Sequence, residues 1–128
     1  GLTSAISSAS GATAAMDEYA AEDWSAVPAH LPQGIEKARL AFEKSVLHVK
    51  EAGSEEVTGF HARRLVEMAT DLVVSWLLLR DGRRSERKLL VAETFIEKMQ
   101  ARAAAHATYI QSEGAFFMKN YRRILKLE

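Results

Sequence analysis

Histidines and carboxylates are the residues in this chain best suited to proton or metal chemistry, and their spacing argues against both. A di-iron helical bundle needs Glu-x-x-His, which sends two ligands inward one turn apart. No histidine here has a glutamate three residues before it. The reverse order occurs once, as His48 and Glu51. That pair shares a helical face with Lys37, Ala41 and Lys44, off the apolar stripe, and is expected to be solvated. His106 falls on an apolar stripe and reads as a partly buried core imidazole rather than a ligand or base. Asp71 shares a stripe with Arg64, Glu67 and Ser75 and is expected to face water.

Other reactive sets are equally thin. The chain has no cysteine, which excludes disulfides, thiolate nucleophiles and cysteine-held zinc or iron–sulfur sites. No serine sits in G-x-S-x-G, and neither a Walker motif nor G-x-G-x-x-G occurs. No catalytic, cofactor-binding or metal residue is assigned. Arg80, Arg83, Arg84, Arg87 and Lys88 crowd one turn, where Asp81 and Glu86 can pair with some of them. An anion could meet that turn, since Ser85 opens a helix N-terminus. No aromatic platform is interleaved among these charges, so nucleic acid is not an expected partner.

The elements that would position these residues are helices. The 128 residues fit one domain. Seventeen basic and 17 acidic side chains cancel, which argues against a whole-surface polyanion binder. Residues 1–33 carry Asp17, Glu18, Glu22 and Asp23 and no Lys or Arg, so residues 34–128 hold the balancing positive charge. We read 1–33 as an acidic segment: residues 1–11 frayed, a short helix from Thr13 to Trp24 capped by Thr13, then a linker from Ser25 to Gln33 with Pro28 and Pro32. The core bundle is expected over 34–114. Its first helix runs from Gly34 to Ala52 on Ile35, Ala38, Phe42, Val46 and Val49, and stops at Gly53. Leu40 and Leu47 lie seven residues apart on another face. The second runs from Ser54, a plausible N-cap, to about Asp81, mostly enclosed, with the Arg64–Glu67–Asp71–Ser75 edge wet. Ser85 caps a third helix to Ser112, striped by Ala92, Phe95, Ile96, Met99, Ala103, His106 and Ile110, and Gly114 is expected to break it.

Residues 115–128 form a basic amphipathic segment on which Phe117, Tyr121, Ile124 and Leu125 can share a face. Short connections make sequential helices antiparallel neighbours, so the expected fold is all-α, an up-and-down four-helix bundle. The apolar run Leu65–Leu79 contains Glu67 and Asp71 and is shorter than the ~20 residues of a membrane span. No signal peptide is legible in the Ser/Ala-rich start, and a cytoplasmic location is expected. The chain begins at Gly1 without a methionine, as either a piece cut from a longer protein or a chain freed from a cleaved tag does.

Two runs carry a resemblance. His61 to Asp81 reads HARRLVEMATDLVVSWLLLRD, and Ser85 to Arg102 reads SERKLLVAETFIEKMQAR. Together they resemble the extra helical domain appended after the flavin-containing body in a subset of acyl-CoA dehydrogenases. There a long apolar helix ends in a Leu-Leu-x-Arg-like stretch, matched by Leu77, Leu78 and Arg80. A helix with a Lys-x-x-x-Ala-x-x-Phe-type pattern follows, matched by Lys88, Ala92 and Phe95. The likeness spans about Ile35 to Gly114, and the acidic start with its two prolines departs from it.

The resemblance implies an FAD-dependent parent of fatty acid metabolism that oxidises acyl-CoA thioesters across the α–β bond. The catalytic carboxylate, flavin site and acyl-CoA cleft belong to the parent's body, so FAD is implied for the parent and no cofactor for this chain. The implied partners are that body or a second subunit, in a homo-oligomer. The implied role is structural and not catalytic, and the expected interaction surface is Leu40, Leu47, Arg83, Arg84, Phe116, Phe117, Met118 and Tyr121. A second reading is a free-standing helical protein-interaction module.

Overall fold

Apolar side chains repeating every three or four residues force three long helices to close on one another. The computed structural model describes residue 11 and residues 13–126, with the side chains of 113–115 left aside. Helix α1 covers residues 13–20. The long helices are α2 (His30–Ala52), α3 (Glu55–Gly82) and α4 (Glu86–Thr108). A π-helical segment, Tyr109–Glu113, leads into α5 (Gly114–Ile124). No strand occurs among the described residues, and the fold is an all-α bundle.

Helix α2 buries Ile35, Ala38, Phe42, Val46 and Val49, the stripe read from the sequence. It starts at His30 rather than Gly34. Proline is tolerated in a first turn, where its missing N–H costs no intrahelical bond, so Pro32 lies inside the helix. Gly53 ends it at φ 64°, its N–H donating to Lys50 O at 3.1 Å. Ser54 Oγ then accepts from Val57 N at 3.4 Å and opens α3. Leu65, Met68, Leu72, Trp76 and Leu79 of α3 are buried against α2 and α4. Ser85 Oγ accepts from Lys88 N at 3.3 Å and opens α4, which contributes Ala92, Ile96, Met99, Ala103 and Ala107.

Three expectations change. The first short helix ends at residue 20, not Trp24, because Trp24 folds back and donates Nε1–H to Tyr19 O at 2.9 Å. Residues 25–33 are not a loose linker: Val27 and Leu31 are buried in the core. The expected fraying of residues 1–11 concerns residues outside those described, apart from Gly11, which is helical. Gly114 does not break the chain. The last helix begins there, because the π segment widens one turn and carries the helix onward. That segment is anchored by buried Ile110 and by Gln111, whose Nε2 donates to Ser45 Oγ at 3.1 Å.

Candidate interaction surface

The polar side chains of the bundle are largely engaged with one another. Asp71 does not face open water as expected: its Oδ2 accepts from Arg102 Nε at 2.9 Å. Ser75 is buried and donates to Asp71 O at 2.7 Å. Arg64 lies over the Tyr109 ring at 4.2 Å, and Glu67 meets Arg63 at 3.1 Å and His106 at 3.4 Å. Of the edge read as wet, Glu67 is exposed as expected, whereas Arg64 and Asp71 are half-buried and Ser75 is buried. Helical periodicity on one element cannot show that, because the partners come from another. His106 is half-buried, as expected for a core imidazole with a partner.

His48 is half-buried rather than solvated, and Glu51 is exposed. The buried His61 has its pKa lowered to about 4; burial is the main cause, and repulsion of the imidazolium by Arg64 and His48 adds to it. His61 packs edge-on against Phe60 and Tyr109, and its Nδ1 has no hydrogen-bond partner. Among the described residues no group of three or more His, Asp or Glu could hold a metal ion.

The acidic segment has a docking role that composition alone did not reveal. Met16 is buried, Asp17 pairs with the buried Arg39, and Arg39 also binds Glu43 at 2.9 Å. Burial works against the Arg39 charge, but hydrogen bonds to Asp17 and Glu43 outweigh it and raise its pKa. Arg83 binds Glu22 at 2.8 Å and Asp23 O at 3.1 Å, and lies 4.4 Å from the Trp24 ring centre. Asp23 Oδ1 accepts from Ser25 N, and that bond above all lowers its pKa. Of the two arginines singled out at the basic turn, Arg83 is spent inside the chain and Arg84 is exposed.

The other singled-out residues fall in two places. Leu40 and Leu47 are 57% and 54% exposed on the outer face of α2. Beside Leu40 runs a groove of about 390 Å³ bounded by Ala20, Pro32, Gln33, Glu36, Lys37 and buried Trp76. On α5, Phe117 stacks on Phe60 at 5.5 Å, whereas Phe116 is 71% exposed. Phe117, Met118 and Tyr121 join Glu55, Glu56, Gly59 and Phe60 around a second groove of about 370 Å³. The structure therefore puts Phe117, Met118 and Tyr121 together, and leaves Leu40 and Leu47 on a separate helix. Exposed Leu90 and Val91 on α4 were not singled out; their place outside the Ala92–Ile96–Met99 stripe is the signal that could have found them.

Three long helices closed on an apolar core, with an N-terminal segment tied down by Asp17–Arg39 and Glu22–Arg83, define an all-α helical domain. The chain matches the family described as acyl-CoA dehydrogenase C terminal over residues 10–116, and it belongs to that family. The matched stretch takes in the acidic segment, which had seemed to depart from the pattern. A solved acyl-CoA dehydrogenase family protein from Porphyromonas gingivalis shares the fold, with a TM-score of 0.71 at 23% identity over 84% of this chain and 92% of that one. No curated protein gives a significant match. No described helix is long and apolar enough to cross a membrane.

Proposed function

We propose that this chain is the packing and oligomerisation domain of an FAD-dependent acyl-CoA dehydrogenase-like protein of fatty acid metabolism in the cytoplasm. It performs no catalysis alone; the flavin and the acyl-CoA thioester belong to the parent's body. The supporting observation is the pair Leu40 and Leu47, more than half exposed on one face of a helix whose opposite face is fully buried. Two leucines seven residues apart sit two turns apart on one line, a seam suited to a second helix. Leaving their exposed halves in water forgoes roughly 1–1.5 kcal/mol each of burial free energy. Arg84 and the Phe116–Tyr121 segment extend the contact surface toward the body or a second subunit.

The test has two arms. The purified chain is incubated with FAD and an acyl-CoA and passed over a sizing column with light scattering. The expected result is no flavin absorbance in the protein peak and a mass above that of one chain. Stoichiometric flavin in the peak, or reduction of an electron acceptor by the chain, would overturn the non-catalytic reading.

A further inference from the structure

Helix α4 presents an apolar strip of its own, on a different helix from the Leu40–Leu47 seam. Leu90 is 61% exposed and Val91 48% exposed. With Arg87, Thr94, Phe95 and Lys98 they line a shallow groove of about 450 Å³. Positions 87, 91, 94 and 98 repeat at three and four residues, so they share one line along the helix. The two ends of that line are cationic. Neither Arg87 nor Lys98 has a hydrogen bond or ion pair among the described residues. Of the acids nearby in sequence, exposed Glu86 precedes Arg87 without lining this groove, and Glu93 and Glu97 line a separate groove with His30, Leu31, Ile96 and Gln100.

The chain supplies its own precedent for what covers such a surface. On α2 and α3, the acidic stretch that includes α1 buries Met16 and sets Asp17 on Arg39 and Glu22 on Arg83. Tyr19 lies under Arg80 at 5.7 Å. An acidic amphipathic segment thus seals an apolar surface edged by arginines. The outer face of α4 repeats the chemistry, with an apolar centre and cationic ends; Arg102 lies 5.4 Å from the Phe95 ring centre at its edge, and Leu90 and Val91 stay exposed.

We propose that this face of α4 is a docking site for an acidic amphipathic helix of a partner protein. Leucine-like side chains of that helix would cover Leu90, Val91 and Phe95, and its carboxylates would meet Arg87 and Lys98. Charge selects the partner and apolar contact supplies most of the affinity.

The probe is a synthetic Leu/Glu amphipathic helical peptide, titrated into the full isotope-labelled chain and followed by backbone amide shifts. A Leu/Lys peptide with the same apolar face and vesicles of phosphatidylserine and phosphatidylcholine serve as the other arms. The expected result is shifts centred on residues 87–98 with the Leu/Glu peptide, weakened by added salt. The paired substitutions Leu90→Ser with Val91→Ser, and Arg87→Glu with Lys98→Glu, should each weaken binding about tenfold or more, with circular dichroism unchanged. The substitutions are on exposed residues, so folding is preserved. Leu40→Glu with Leu47→Glu should leave peptide binding intact, which separates this site from the oligomer seam. Equal binding of the Leu/Lys peptide, shifts elsewhere or none, vesicle binding lost in the same variants, or self-association through this face would each overturn the proposal.

Discussion

Trp24 lies against Trp76 with ring centres 5.3 Å apart and planes 33° apart. One indole belongs to the acidic segment and the other is fully buried toward the C-terminal end of α3. That contact, with Arg83 over the outer ring, ties the N-terminal segment to the core. Trp24→Ala should therefore destabilise the whole bundle, by about 2–4 kcal/mol, near the lower part of the range for buried tryptophans because Trp24 is only half-buried. Urea unfolding followed by circular dichroism measures it. A loss below about 0.5 kcal/mol would mean the segment is a passenger.

Arg39 gathers Asp17, Glu36 and Glu43 around one buried guanidinium. Replacing it with alanine removes the bond to the N-terminal segment and the packing of its long stem. The expected cost is about 2–3 kcal/mol. Asp17→Asn should cost under about 1 kcal/mol, because Asp17 is exposed and Glu43 still pairs with the arginine. Equal costs for the two substitutions would contradict this division.

His61 makes the fold sensitive to acid. Its pKa is about 4 in the folded chain against an ordinary 6.5, because burial and the nearby Arg64 and His48 disfavour the imidazolium. The unfolded chain binds the proton more readily, so folding loses free energy as pH falls from 6.5 toward 4. Above pH 6.5 both states hold it neutral and the penalty is absent; below about 4 the loss levels off at roughly 3 kcal/mol. His61→Phe should flatten stability across that window. An imidazole titration of His61 with a midpoint near 6.5 in the folded protein would refute this.

Two buried glycines separate space from propensity. A Cβ at Gly82 would sit 2.9 Å from Leu89 Cα, a backbone atom held by the start of α4. Gly82→Ala should cost about 1–3 kcal/mol despite alanine's better helix propensity. At Gly34 the obstacle is only the end of the Gln100 side chain, which can swing away. Gly34→Ala should be neutral or stabilising by up to about 1 kcal/mol. Thermal midpoints of the two variants check the contrast.

The long helices were legible because each carries its own punctuation: Ser54, Ser85 and Gly53 act as read, and the stripe from Ile35 to Val49 is buried. What stayed hidden depends on residues far apart in sequence. Arg102 reaching Asp71 draws a wet edge toward α4, and buried Val27 and Leu31 turn a linker into part of the core. The π segment has no sequence mark; Tyr109 and Gln111 fix it through Arg64 and Ser45 of other helices. For the surface, Leu40 and Leu47 could be read from periodicity, but the inward turn of Arg83 could not, since Glu22 lies 61 positions away.

Sedimentation velocity over a concentration series, run on the chain beside its Leu40→Glu, Leu47→Glu variant, probes the outward-facing seam directly. The chain should form a reversible oligomer, and the variant should run as a monomer with the same helix content. A chain that stays monomeric at every concentration, or an oligomer that the double substitution leaves untouched, would show that those leucines join nothing.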